Sequence, residues 1–214
     1  MEKAVSSLTE VMSVISNALL LPVLLAELVC LGWVLVSLGG FLREWAGRRH
    51  RRRVLTGLVA ACDDPNMESS DLWKRLLTAS HPMTSVLVAG LPVRSVTADV
   101  VKKRLTDLES SVADALSRLS FLTRIGPMLG LLGTLIPLGP ALTGLSAGNI
   151  QQLSSNLVVA FAATVVGLVV SCLAYGIGMV RRAWYGRDMD DLDYVLSRLY
   201  PEEPSRAAEA NVGP

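Results

Sequence analysis

Charge is absent from Ile125 to Val180, a run of fifty-six residues without Asp, Glu, Lys, Arg or His. A run roughly twice the ~20 apolar residues that cross a bilayer core excludes a water-facing segment and predicts a membrane hairpin of two spans. Its one polar break is Gly144-Leu-Ser-Ala-Gly-Asn-Ile-Gln-Gln152, a turn-rich stretch. Cysteine is scarce as well. Cys30, Cys62 and Cys172 are scattered, with neither a disulfide framework nor metal-ligand spacing. Aromatic residues make up 5% of the chain, and histidine is limited to His50 and His81. The membrane part offers no nucleophile–base set, so hydrolase and transferase roles have no support and the chain is not expected to be an enzyme. No cofactor or metal motif is present. The two histidines read as isolated, satisfied surface residues.

What is present suits an integral membrane protein: 51% hydrophobic residues and a mean hydropathy of +0.45. Arg43, Arg48, Arg49, Arg51, Arg52 and Arg53 follow the first apolar run, Arg118 and Arg124 precede the hairpin, and Arg181 and Arg182 close it. Positive charge marks the cytoplasmic side, which places the central region and C-terminus inside, and the N-terminus and hairpin turn outside, a cell membrane. The arginine cluster is a topology anchor against anionic headgroups rather than a nucleic-acid site.

The pattern predicts an all-α fold with three transmembrane helices and long cytoplasmic helical extensions. Residues 1–16, with Val5, Leu8, Met12 and Ile15 on one face, form an outer interfacial helix. Residues 17–42 form the first span and 43–120 a cytoplasmic helical region. A helix starts near Ser70, and breaks fall at His81-Pro82 and Leu91-Pro92. The second span is 121–145, the outer turn 146–152 and the third span 153–180. No breaker separates the helix that begins near Ser95 from the second span, so the two run together. Residues 181–200 form a cytoplasmic helix, and 201–214 a disordered tail.

Small residues recur along both hairpin spans. Gly126, Gly130, Thr134, Pro137, Ala141 and Gly144 follow one another at steps of three and four. So do Asn156, Ala160, Thr164, Gly167, Ser171, Ala174 and Gly178. Such stripes allow close helix packing, either within one subunit or between subunits. Thr134 and Thr164 sit mid-span, where a hydroxyl bonds its own helix or meets a passing ion or a partner carboxylate. Pro137 and Pro140 remove the N–H groups that would serve the carbonyls of Gly133 and Ile136. The hairpin has no ionisable group, so a charge-carrying group for ion flow must come from elsewhere. Glu27 is the only charge in the first span. It is a candidate relay or a neutral structural hydrogen-bonding group.

Gly126-Pro-Met-Leu-Gly-Leu-Leu-Gly-Thr-Leu135 resembles the "APLLGLLGTV" signature of the MotA/TolQ/ExbB proton channel family. Ala160-Phe-Ala-Ala-Thr-Val-Val-Gly-Leu168 resembles that family's third-span pattern. The order of spans is similar too, on the ExbB/TolQ side of the family. The proline-bearing Thr134-Leu-Ile-Pro-Leu-Gly-Pro-Ala-Leu142 resembles a largely archaeal-type branch. The resemblance implies a pentamer around two copies of a single-span ExbD/TolR-like partner, whose membrane Asp carries the ion. It implies a stator and channel subunit that couples proton or sodium flow, the proton motive force in the first case, to mechanical work. By the same resemblance Thr134 and Thr164 line the pore, supported by Gly130, Gly133, Pro137, Ala160, Gly167 and Ser171. A Glu found in TolQ- and ExbB-like chains five residues before the third-span Thr is Val159 here. The chain lacks the larger cytoplasmic domain and extra span of the flagellar stators, which points away from flagellar rotation. Two alternatives stay open: a non-conducting oligomeric scaffold, and a stand-alone ion channel that uses Glu27.

Overall fold

A computed structural model describes residues 2–64, 67–79, 81–88 and 98–199. The Leu91-Pro92 break, the helix start near Ser95 and the tail from 201 lie outside them. Five helices follow one another: α1 (Glu2–Cys62), α2 (Ser69–Thr78), α3 (Pro82–Val88), α4 (Ala98–Ser146) and α5 (Ile150–Leu199). No strand occurs among the described residues. Three helices, α1, α4 and α5, are long and apolar enough to cross a membrane. The protein is an all-α integral membrane protein.

α4 and α5 have 49 and 50 residues. At ~1.5 Å per residue each is about 75 Å long, well beyond a ~30 Å hydrocarbon core. Each is therefore a span and its extension in one helix, with no break near residue 120 or 180. α5 passes from apolar to charged residues with no proline at the junction, and α4 stays helical through Gly126-Pro127 at its own junction. α1 is likewise unbroken at residue 16, where the sequence reading separates an interfacial helix from the first span. Pro22 lies within it.

The hairpin turn is tighter than the expected 146–152, since only residues 147–149 separate α4 from α5. Gly148 takes the left-handed conformation (φ 77°), which glycine adopts without steric cost. The Asn149 side chain then caps α5, its Oδ1 accepting the Gln152 N–H at 3.0 Å.

The chain divides into two compact units. Met1–Leu42 with Leu116–Val180 forms an apolar unit, and Arg43–Ala115 with Arg181–Pro214 forms a polar unit. The apolar unit has a small buried cluster, Val34, Leu122, Val170 and Ala174. The polar unit has a larger core, in which Leu55 and Leu58 of α1, Leu72 and Leu76 of α2, Val101, Leu105 and Leu108 of α4, and Leu192 and Val195 of α5 meet. Met83 brings α3 into it. Large apolar side chains such as Leu28, Val36, Leu131, Phe161 and Val165 remain exposed in the apolar unit. A membrane span presents such groups to lipid.

Candidate functional site

In the apolar unit, α4 and α5 meet backbone to backbone. A methyl group added to Gly167 would lie 2.5 Å from the Gly126 carbonyl oxygen and 2.9 Å from the Gly130 Cα. One added to Gly126 would lie 2.7 Å from the Gly167 oxygen, and one on Gly133 2.6 Å from the Ala163 Cβ. The position equivalent at Gly130 lies 3.3 Å from the Ala163 oxygen and 3.5 Å from the Thr164 Cα. Ser171 Oγ donates across the seam to the Thr123 carbonyl at 2.8 Å. Ala160 is buried, as is Pro137. The small residues singled out in the sequence thus bring two spans of one subunit together. Lipid supplies no hydrophobic drive for this, so van der Waals contact and the serine hydrogen bond hold the seam.

Thr134 and Thr164 are both partly exposed. Thr134 Oγ1 donates to the Leu131 carbonyl at 2.8 Å, and Thr164 Oγ1 to the Ala160 carbonyl at 3.2 Å. Thr134 therefore does not serve the Gly133 carbonyl that Pro137 releases. Each hydroxyl spends its proton on its own helix and keeps oxygen lone pairs with which to accept.

Glu27 of α1 is 3% exposed. Its carboxyl faces Gly133, with Oε2 3.7 Å from where a Gly133 Cβ would stand. Its Oε1 has no hydrogen-bond partner among the described residues. A larger residue at 133 would crowd both Ala163 and this carboxyl. Ionisable groups inside spans are costly to place and mark proton or ion paths by default. The three elements named from sequence, the glycine seam, the hydroxyls and Glu27, all belong to the apolar unit.

A second polar cluster, in the polar unit, corrects two expectations. Arg48 is not free to anchor to headgroups, unlike its exposed neighbours Arg49, Arg52 and Arg53. It is buried and grips Asp188 with both guanidinium nitrogens, one at 2.7 Å. It also lies over the Trp184 ring, 5.2 Å from the centroid, and donates to the Trp184 carbonyl at 3.3 Å. His81 is not a satisfied surface residue. It is 4% exposed, and its Nε2 has no hydrogen-bond partner among the described residues. Only His50 is exposed, as expected for both. Beside them, Glu44 accepts from Arg181 Nε at 3.1 Å and from the Tyr185 hydroxyl at 3.2 Å. Burial, with the Glu44 carboxylate, pushes the Tyr185 phenol up to about 12, so it stays a donor. Arg51 donates to the Glu44 carbonyl. A cavity of about 240 Å³ opens here, with Met83 and Val86 of α3 and Leu108 and Val112 of α4 forming its apolar wall.

Sequence reasoning missed this cluster because its members are far apart in the chain. The available signals were His81-Pro82, in which Pro82 opens α3, and Asp188, the first acidic residue after the arginines that close the hairpin. No group of three or more potential metal ligands occurs among the described residues.

No curated protein and no solved structure matches the chain. The profile of the MotA/TolQ/ExbB proton channel family matches residues 77–191, more than half of the chain, including the whole hairpin, its glycine seam and Asp188. The family is one of channels rather than enzymes. With three helices fit to span a membrane and a charge-free run, residues 125–180, whose two helices are in backbone contact, this chain belongs to the MotA/TolQ/ExbB proton channel family.

Proposed function

We propose that the protein is the ion-conducting subunit of a motor complex driven by an ion-motive force. Five copies would surround two copies of a single-span partner whose membrane Asp carries the proton or sodium ion. The observation that carries this reading is a contrast within the hairpin. Thr134 and Thr164 are partly exposed polar groups within residues 125–180, which hold no Asp, Glu, Lys, Arg or His. Hydroxyl oxygens can accept from a protonated carboxyl or contact an ion, but they cannot carry a proton by titration, so a titrating group has to come from another chain. Gly130, Gly133, Pro137, Ala160, Gly167 and Ser171 support these hydroxyls by fixing α4 against α5. The arginine distribution favours an outer N-terminus and a cytoplasmic C-terminus.

Native mass spectrometry of the gently extracted complex, co-expressed with any single-span protein encoded beside it, tests the assembly. Five copies holding two of an Asp-bearing partner are expected. Thr164→Val keeps the shape and removes the hydroxyl. It is expected to abolish ion-driven work with assembly intact, and full activity in that variant rejects a pore role for Thr164.

Glu27 favours a second reading, a channel that needs no partner, because its buried carboxyl has an unpartnered oxygen. Proton flux into liposomes holding the purified protein alone, lost in Glu27→Gln, would establish that reading over the first.

A further inference from the structure

His81 is a buried titratable group that the channel reading does not use. Its position is set by three helices. It immediately precedes α3, and its Nδ1 accepts the Met83 N–H at 3.3 Å, so the ring caps that helix. Its own carbonyl accepts from Thr84 Oγ1 at 2.8 Å and the Ser85 N–H at 2.9 Å. With Nδ1 an acceptor, the single proton of the neutral ring sits on Nε2. Nε2 points to Asp188 Oδ2 of α5 at 3.7 Å, too far for a hydrogen bond. That carboxylate is already held by Arg48 of α1.

We propose that His81 is a proton-operated latch: neutral, it caps α3 and rests beside the Arg48–Asp188 pair; protonated, it gives up the cap and competes with Arg48 for Asp188, releasing α3. The added proton goes to Nδ1, whose lone pair is the ring's one basic site and holds the Met83 N–H in the neutral form. It then faces the Met83 N–H, donor against donor, and the cap is lost. The ring also becomes a cation in a closed space. α1 presents Arg48 and Arg51 there, which oppose the new charge, with Glu44 farther along the same cavity wall and His50 lining a second opening that His81 also borders. α5 presents Asp188, which favours it, and Tyr185. The α4 residues lining the cavity are Leu108, Ser111, Val112 and Ala115, and α3 itself adds no titratable group. Burial is the largest influence and holds His81 below the usual histidine range. At neutral pH the latch is closed, and acid opens it.

A regulatory meaning rests on the channel reading: if this unit lies on the side that receives protons, the product of ion flow would open the latch. The latch itself needs no conduction, so its test stands apart from the test of that reading. The experiment uses the full chain in detergent micelles. Hydrogen exchange of the α3 amides, corrected for the intrinsic effect of pH, is followed from pH 7.5 to 5.0 in the wild type and in His81→Asn. Asparagine keeps a capping oxygen and cannot be protonated. Wild-type exchange in α3 is expected to rise severalfold as the pH falls, in step with protonation of His81. Exchange over the glycine seam stays level, and the Asn variant does not respond to pH. A flat wild-type profile, or an equal response in the variant, would overturn the proposal.

Should the variant not fold, histidine ring NMR on the wild type decides. There are two histidines, and His50→Gln assigns the signals. The proposal requires His81 to titrate below the ordinary histidine range and the α3 opening to share the His81 midpoint. Opening that follows His50, or a His81 that never titrates while α3 opens, rejects it.

Discussion

In the apolar unit helices meet at glycine, while in the polar unit they meet at paired charges over an apolar core. The α4–α5 seam has backbone atoms so close that a single methyl on Gly167 would stand 2.5 Å from a carbonyl oxygen. The polar unit has Arg48 bonded to Asp188 and Glu44 bonded to Arg181 and Tyr185, above leucines from four helices. The solvent explains the difference. Water drives leucine inward, so an aqueous unit forms a large core and can add ion pairs to set its register. Lipid is as apolar as leucine, so a membrane unit gains only from close contact and from polar groups satisfied inside. The same helices, α4 and α5, obey one rule in one stretch and the other rule in the next.

The contrast breaks most sharply at Asp188. Asp188→Ala leaves Arg48 buried without its counter-charge, and a loss of about 3–5 kcal/mol is expected in denaturant unfolding of the detergent-solubilised protein. Replacing both partners, Arg48→Met with Asp188→Leu, should recover most of that loss. If the double variant is as unstable as the single one, the pair does more than neutralise itself.

The next effect belongs to the seam. Gly167→Ala forces α4 and α5 apart and should lower stability by about 1–3 kcal/mol. Gly176, on the same helix, has open space where a Cβ would go. Gly176→Ala is expected to be neutral or stabilising by up to about 1 kcal/mol, from helix propensity alone. Opposite signs in thermal unfolding would show that contact, not glycine content, makes the seam.

Asn149→Ala removes the cap of α5 at the hairpin turn, with an expected loss of about 1 kcal/mol in the same measurement. The smallest effect is that of acid on His81, and it separates the units without a mutation. Because folding holds this histidine below its ordinary value, the unfolded chain takes up the proton first as pH falls. The His81 contribution to stability is level above about 6.5, declines as pH drops past that value, and levels again below the lowered His81 titration. His81→Asn should remove that part of the decline from unfolding curves taken across the range.

Much of the fold is legible in the chain. Fifty-six charge-free residues with a central Asn-containing turn specify a hairpin, and span and extension form one helix that continues through Gly126-Pro127. The glycine stripe was legible as a packing surface, but not its partner. Steps of three and four say that Gly126, Gly130 and Gly133 share a face, and either a neighbouring helix or another subunit could lie on it. The placement of Glu27 against Gly133 was not legible either, because it joins residues more than a hundred positions apart.

The amino-acid order by itself determined the number of spans, the helical class, the position of the turn and the family motifs. These rest on local quantities: hydropathy along a stretch, helical period, and the conformational freedom of Gly148. Tertiary structure alone decided which of six arginines after the first span is buried, that His81 is enclosed rather than on the surface, and that the small-residue stripes close on each other. Arg48 and Asp188 lie 140 residues apart. An ion pair at that separation leaves no periodic trace in the sequence, and only the packing of α1 against α5 brings it about.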